Sequence, residues 1–378
     1  MRLDDPGFPS PCYLLERAKL RANLELIGRV QRETGCTIIL ALKGFAMWSV
    51  FPLVREYLSG CSASSYNEAR LAREQFGGHV HLYAPAYTQA EFPALLELSD
   101  RVSFNSLGQW RRFAPQARKA GISCGLRVNP GVNEVATDLY NPSGPQSRLG
   151  IPAEEVVAGL PEGVEGLHVH ALCESGADST QRLIEAVEQR YGHLLSGLKW
   201  INLGGGHLMT RAGYEVERLI RVLKALRERH PGLEVVLEPG SAIAWGVGPL
   251  VSRVLDLIER GGIRIAMLDT SATAHMPDVL EMPYRPVVRN AAEPGDKPHT
   301  YRLGGLTCLA GDVIGDYAFD HALAIGERVI FEDMIHYTMV KTTMFNGVNH
   351  PAIAIQQENG QIEVIRQFGY RDYASRLS

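Results

Sequence analysis

Thr37-Ile38-Ile39-Leu40-Ala41-Leu42-Lys43-Gly44 is the stretch on which the fold turns. From Thr37 to Leu42 it is apolar and partly β-branched, the composition of a strand buried on both faces. Lys43 closes the run. An ammonium at the end of a buried strand is costly to desolvate, so burial lowers its pKa and frees a nucleophilic amine. Such a lysine can bind an aldehyde as a Schiff base, whereas a lysine at a solvated strand end is an ordinary surface residue. What the later strand ends carry decides between the two.

Working outward, short apolar runs recur at 37–42, 60–64, 80–84, 101–105, 123–129, 166–172, 200–203 and 234–238. Charged stretches of helical period separate them, at 65–76, 89–98, 107–120, 179–195 and 214–230. Eight strands alternating with helices over roughly 200 residues predict a (β/α)8 barrel of the α/β class. A doubly wound open sheet is the lesser alternative, because no GxGxxG fingerprint follows the first strand. After Val247 the texture changes to strand-like segments at 249–259, 263–269, 301–306, 328–331, 352–357 and 362–366, broken by Gly, Pro and Asp turns. The predicted organisation is an N-terminal segment over 1–20 that pairs with the β domain, a barrel over 21–247, and a C-terminal β-sandwich or barrel over 248–378. Residues 290–299 and 367–378 read as exposed loop and terminus.

Composition narrows the function. With 378 residues, 45% hydrophobic and 21% charged, the chain is expected to be globular and soluble. A net charge of −4 gives no electrostatic case for nucleic acid or an anionic membrane as partner. Its six cysteines (Cys12, Cys36, Cys61, Cys124, Cys173 and Cys308) form no CxxC pair, which argues against a zinc ribbon or disulfide scaffold. The acidic, proline-punctuated start is not a signal peptide, and no apolar stretch is long enough to span a bilayer. A cytoplasmic location is expected.

In a barrel, functional side chains project from the C-terminal ends of the strands. Those ends carry Lys43, Ser64, Asn105, Arg127 with Asn129, His170, Gly204-Gly205-Gly206 and Glu238. The glycine triplet lets backbone amides approach an anion such as phosphate. Glu238, in Glu238-Pro239-Gly240, can pair with a pyridinium nitrogen, although an acid before proline is often only a turn residue. Within His168-Val169-His170, His170 is expected to stack on a ring ligand, and His168 to be a structural histidine directed to the opposite face. The pair also suggests zinc, but no suitably spaced third ligand accompanies it, so no metal is expected. In the second domain, Gly304-Gly305-Leu306-Thr307-Cys308-Leu309-Ala310-Gly311-Asp312 offers a thiol and a carboxylate, Tyr337 a hydroxyl, and Phe345-Asn346-Gly347 an aromatic wall.

In this order, Lys43, His170, Gly204 to Gly206, Glu238-Pro239-Gly240, Cys308, Tyr337 and Phe345-Asn346-Gly347 resemble the fold-type III pyridoxal-phosphate enzymes. The likeness spans nearly the whole chain and is to the decarboxylase branch that includes the ornithine and diaminopimelate decarboxylases. Three strings bring it nearest to the carboxynorspermidine/carboxyspermidine decarboxylase family: Ala41-Leu42-Lys43-Gly44-Phe45, His168-Val169-His170-Ala171-Leu172-Cys173-Glu174, and the run from Leu268 to Asp278. The resemblance implies pyridoxal 5'-phosphate as cofactor, with Lys43 as its Schiff-base lysine, His170 on its ring and Glu238 at its ring nitrogen. Gly205, Gly206 and Tyr337, with Arg127 nearby, would hold its phosphate. It also implies a homodimer with shared active sites, Cys308 and Asp312 reaching across and Cys308 protonating the product.

The implied substrate is an amino acid extended by a polyamine chain, so acids should line its pocket. Asp269 and Asp278 lead the candidates, followed by Glu174 and Asp312, with His275 beside them. Departures from the diaminopimelate enzymes are Ser241 where they carry arginine and Leu309 where they carry glutamate, which count against diaminopimelate as substrate. Cys173-Glu174-Ser175-Gly176 imitates the cysteine-loop motif but follows the His170 strand, and reads as a decoy. An alanine-racemase-type enzyme usually sets arginine against the ring nitrogen, so Glu238 favours decarboxylation. A non-catalytic cofactor-binding protein would not need the second domain. A metal-dependent barrel hydrolase is the alternative from another class.

Overall fold

The computed structural model describes residues 1–3, 5–132, 138–156, 158–282 and 284–378. Strand β1 (Cys12–Glu16) and the helix Arg17–Thr34 come first. Parallel strands then follow: β2 (Thr37–Ile38), β3 (Leu40–Ala41), β4 (Gly60–Ala63), β5 (His79–Tyr83), β6 (Arg101–Phe104), β7 (Ser123–Asn129), β8 (Ile151–Pro152), β9 (Gly166–His168), β10 (Trp200–Asn202) and β11 (Glu234–Leu237). Their order is β2-β11-β10-β9-β7-β6-β5-β4-β3, with β8 beside β7. Only Ile39 separates β2 from β3, and its N–H donates to the Leu237 carbonyl at 3.0 Å. The two short strands therefore act as one stave that meets β11 on one side and β4 on the other, closing an eight-staved ring.

At two of the strand ends a serine starts the following helix at once. Ser65 caps the helix Tyr66–Leu71 by accepting from the Glu68 N–H, and Ser106 does the same for Leu107–Lys119 through Gln109. Further helices are Phe92–Glu97, Ala177–Leu195 and Val216–Arg229. The last turns Leu219, Ile220, Leu223 and Leu226 inward, an i, i+4, i+7 stripe. These elements belong to one unit, Asn23–Ile243; the other unit combines Met1–Ala22 with Ala244–Ser378.

The second unit is a mixed sheet of β12 (Leu250–Arg260), β13 (Ile263–Leu268), β14 (His299–Gly304), β15 (Val313–Phe319), β16 (Arg328–Phe331), β17 (Ala352–Gln356) and β18 (Ile362–Arg366). It runs β15-β14-β13-β12-β1-β17-β18, with β16 also on β12. β1 sits mid-sheet, antiparallel to β12 and parallel to β17. Phe8, Cys12, Leu14, Val251, Ala352, Ala354 and Ile362 form a core cluster there. All six cysteines are free thiols, and burial pushes those of Cys12 and Cys124 up to about 12. Among the described residues, no helix is long and apolar enough to cross a membrane.

Candidate active site

Lys43 leaves β3 through a turn in which the Gly44 N–H donates to the Ala41 carbonyl at 3.0 Å. The turn lies against the end of β11: a Cβ on Gly44 would stand 2.9 Å from the Gly240 Cα, so this seam of the barrel requires glycine. The Lys43 side chain keeps accessible surface yet is enclosed by protein, so it stands in a hollow at the strand ends. Burial lowers its pKa, the Arg127 guanidinium lowers it further, and Glu238, Cys173 and Glu68 oppose the shift. Among the described residues its ammonium makes no hydrogen bond or ion pair.

Glu238 is 5% exposed. Its Oε1 accepts from Asn202 Nδ2 at 2.6 Å. Burial raises its pKa, while the Asn202 hydrogen bond and the Lys43 charge hold it down. His170 is set by the glycine turn: the Gly205 N–H donates to its Nδ1 at 3.1 Å, which places the ring proton on Nε2. Burial and the nearby Lys43 charge keep this imidazole neutral. Gly204 and Gly206 take φ of 70° and 88°, and a Cβ on Gly206 would fall 2.3 Å from the Leu172 carbonyl. Arg127 donates from Nη2 to the His170 carbonyl at 3.0 Å and lies 4.5 Å from the centre of the Tyr83 ring.

Two expectations are corrected. His168 is not turned to the opposite face. Residues two apart on a strand share a face, and its Nε2 lies 3.8 Å from Glu238 Oε2. Its ring nitrogens have no hydrogen-bond partner among the described residues. The third ligand that the local sequence lacks is Glu238, brought by the last barrel strand: ligand atoms of His168, His170 and Glu238 lie within 4.8 Å of one another. Cys173-Glu174-Ser175-Gly176, read as a decoy of the cysteine loop, follows β9 at the barrel mouth, as expected of its place in the sequence. The Ser175 N–H donates to the Gly206 carbonyl at 2.8 Å, and Cys173 is near enough to Lys43 to influence its charge. Glu174 is exposed, with φ 46°.

Asn202, His81 and Tyr83 went unnoticed in the sequence. Tyr83 donates to Asn105 Oδ1 at 2.8 Å, and His81 bonds Asn202. The alternation His79-Val80-His81-Leu82-Tyr83 on β5 was the available signal, since it puts three polar rings on one face.

In the sheet unit the expected residues have partners of their own. Asp312 accepts from Ser271 Oγ, the Ala272 N–H and both the N–H and Oγ1 of Thr307, so its carboxylate anchors loops rather than facing a ligand. Asp278 pairs with Lys341. Asp269 accepts from the Arg253 N–H at 2.9 Å. His275 is buried between Thr270 Oγ1 and the Asn349 carbonyl. Cys308 is exposed, its N–H donating to Asn346 Oδ1 at 2.8 Å. Tyr337 begins the short helix Tyr337–Val340.

The barrel's donor set suits a pyridine aldehyde phosphate: an amine, a held carboxylate, a flat neutral imidazole and a backbone turn free of Cβ atoms. Residues 246–335 match the pyridoxal-dependent decarboxylase C-terminal sheet domain. The chain is 51% identical to carboxyaminopropylagmatine decarboxylase of Synechocystis sp., over 98% of this chain and 96% of that protein. It is 42% identical to carboxynorspermidine/carboxyspermidine decarboxylase of Campylobacter jejuni, over 97% and 98%. The crystal structure of Campylobacter jejuni carboxynorspermidine decarboxylase complexed with norspermidine superposes with a TM-score of 0.90 at 41% identity, covering 98% of this chain and all of that one. Diaminopimelate decarboxylase of Helicobacter pylori, at 17% identity and a TM-score of 0.82, shares the fold.

Proposed function

The chain belongs to the family of pyridoxal-dependent decarboxylases that contains the carboxynorspermidine/carboxyspermidine and carboxyaminopropylagmatine decarboxylases, and from that premise we propose that it removes CO2 from an α-amino acid extended by a polyamine tail. The products would be polyamines such as norspermidine and spermidine. One observation carries the site: Lys43, His170 and Glu238 meet at the barrel's strand ends, with the Lys43 amine depressed in pKa.

Pyridoxal 5'-phosphate, when bound, supplies a protonated ring that accepts the electron pair left by departing CO2. Lys43 would hold its aldehyde carbon until the substrate amine takes that place. Glu238 would accept the ring N–H, His170 would lie flat on the ring, and Gly205 and Gly206 would turn their N–H groups to the phosphate, with Arg127 nearby. Tyr337 at the phosphate and Cys308 as the group returning a proton to carbon are proposed on the family resemblance. So are the homodimer and shared sites. The acids proposed for the substrate amines, on the family resemblance, are Asp269, Asp278, Glu174 and Asp312. Free cysteines support a reducing, cytoplasmic setting.

A second reading of the substrate rests on the 51% identity to the Synechocystis enzyme, which exceeds the 42% to the Campylobacter enzyme. The reacting amino-acid end would be the same, and the far end would carry a guanidinium in place of an ammonium. CO2 release should be measured from carboxynorspermidine, carboxyspermidine, carboxyaminopropylagmatine, diaminopimelate and ornithine, after borohydride trapping of the cofactor and peptide mapping. We expect the label on Lys43 and the highest kcat/KM with one of the first three, whose ranking settles the tail. Faster turnover of diaminopimelate or ornithine, or no label, overturns the proposal.

A further inference from the structure

Asn202 ends β10 and is fully buried. Its Oδ1 accepts from the Gly204 N–H at 2.8 Å, which fixes the orientation of the amide because a backbone N–H can only donate. Both hydrogens of Nδ2 are therefore pointed elsewhere: one to Glu238 Oε1 at 2.6 Å, the other to His81 Nδ1 at 3.0 Å. Since Nδ1 of His81 accepts, its proton sits on Nε2, 2.8 Å from Ser103 Oγ. His81 and Ser103 are both fully buried. A proton on His81 Nδ1 would face an N–H and break the chain, and burial helps keep that ring neutral. One amide thus touches the carboxylate at one side of the site and the first glycine of the turn at the other. Facing Glu238 are Lys43 and Arg127 as cations, with His81 and His168 as neutral rings.

We infer that Asn202 is a positioning residue for the decarboxylation: its amide commits Oε1 of Glu238, orients that carboxylate toward the cofactor's ring N–H, and locks it to the Gly204 turn. A carboxylate in this dry pocket depends on its hydrogen-bond donors to stay charged. The inference rests on the pyridoxal reading of the site.

The test is a double-mutant cycle on the holoenzyme with Asn202→Asp and Glu238→Gln. Asn202→Asp keeps the shape and the acceptor for Gly204, but replaces the donor to Glu238 with a repelling oxygen. Asn202→Ala is run alongside, with circular dichroism to confirm folding. Alone, Asn202→Asp should lower kcat by about 10- to 100-fold with a much smaller change in KM. It should also move the pH dependence of the bound cofactor's absorption toward that of Glu238→Gln. In the Glu238→Gln background the same change should cost less than about 3-fold, because the group Asn202 holds is gone. Borohydride should still label Lys43 in every variant. A labelled Lys43 with equal costs in both backgrounds, or an unshifted absorption profile, overturns this inference alone. A wild-type chain that cannot be labelled overturns it together with the pyridoxal reading.

Discussion

Arg127 and Glu238 pull Lys43 in opposite directions, and that opposition makes its nucleophilicity adjustable. Burial lowers the amine's pKa, Arg127 lowers it further and Glu238 raises it. The neutral, reactive fraction therefore grows with pH and levels off below the range of a surface lysine. Uptake of pyridoxal phosphate by the cofactor-free protein, followed by absorbance, should rise with pH and plateau early. Arg127→Gln should move that profile to higher pH and Glu238→Gln to lower pH. Shifts of both variants in the same direction would mean that general loosening, not charge, is at work. At this scale the sequence was legible where a residue closes a strand, as Lys43, His170 and Glu238 do. It was opaque where partners meet across strands. Asn202 and Glu238 lie on neighbouring staves, and nothing in Trp200-Ile201-Asn202 announces a bond to Glu-Pro-Gly.

Among elements, the barrel was readable because its staves are largely buried parallel strands, short runs rich in apolar residues that recur between helical stretches. β15 was not, since Val313-Ile314-Gly315-Asp316-Tyr317-Ala318-Phe319 carries Gly and Asp, which read as a turn, and its burial alternates only partly. The short helices Ala272–His275, capped by the Ser271 hydroxyl, and Asp278–Glu281, which has no side-chain cap, are single turns too brief to show a period. The closing stave is sensitive to a small change. Gly44→Ala would drive a Cβ to 2.9 Å from the Gly240 Cα, backbone against backbone with no flexible atom to give way. We expect a loss of about 1–3 kcal/mol in denaturant unfolding. Gly192→Ala is the contrast. It lies inside the helix Ala177–Leu195 with no atom within 4 Å of the new Cβ, and should stabilise by about 0.5–1 kcal/mol. Equal effects of the two changes would deny the seam its role.

For the molecule as a whole, the proposed homodimer is open to complementation. If one chain's Lys43 works with its partner's Cys308, mixing Lys43→Ala and Cys308→Ala chains should restore about a quarter of wild-type turnover, since half the dimers would then carry one intact site. Sites built within single chains would restore none. Acid stability is a property of both units. His207 in the barrel unit and His275 in the sheet unit are each brought by burial from 6.5 to about 4. Unfolded, both titrate near 6.5, so between those values the unfolded chain binds protons that the folded chain refuses. Stability contributed by the neutral rings is complete above pH 6.5 and is lost as pH falls toward 4. Each ring amounts to about 2 kcal/mol at pH 5 and about 3 kcal/mol below pH 4. Thermal melts should therefore move down steadily from pH 7 to pH 5, with neither unit spared. His207→Gln removes one of the two titrations and should flatten the slope even if it lowers the midpoint at pH 7. A melting temperature that holds level from pH 7 to pH 5 would mean that these buried rings accept protons without opening the fold.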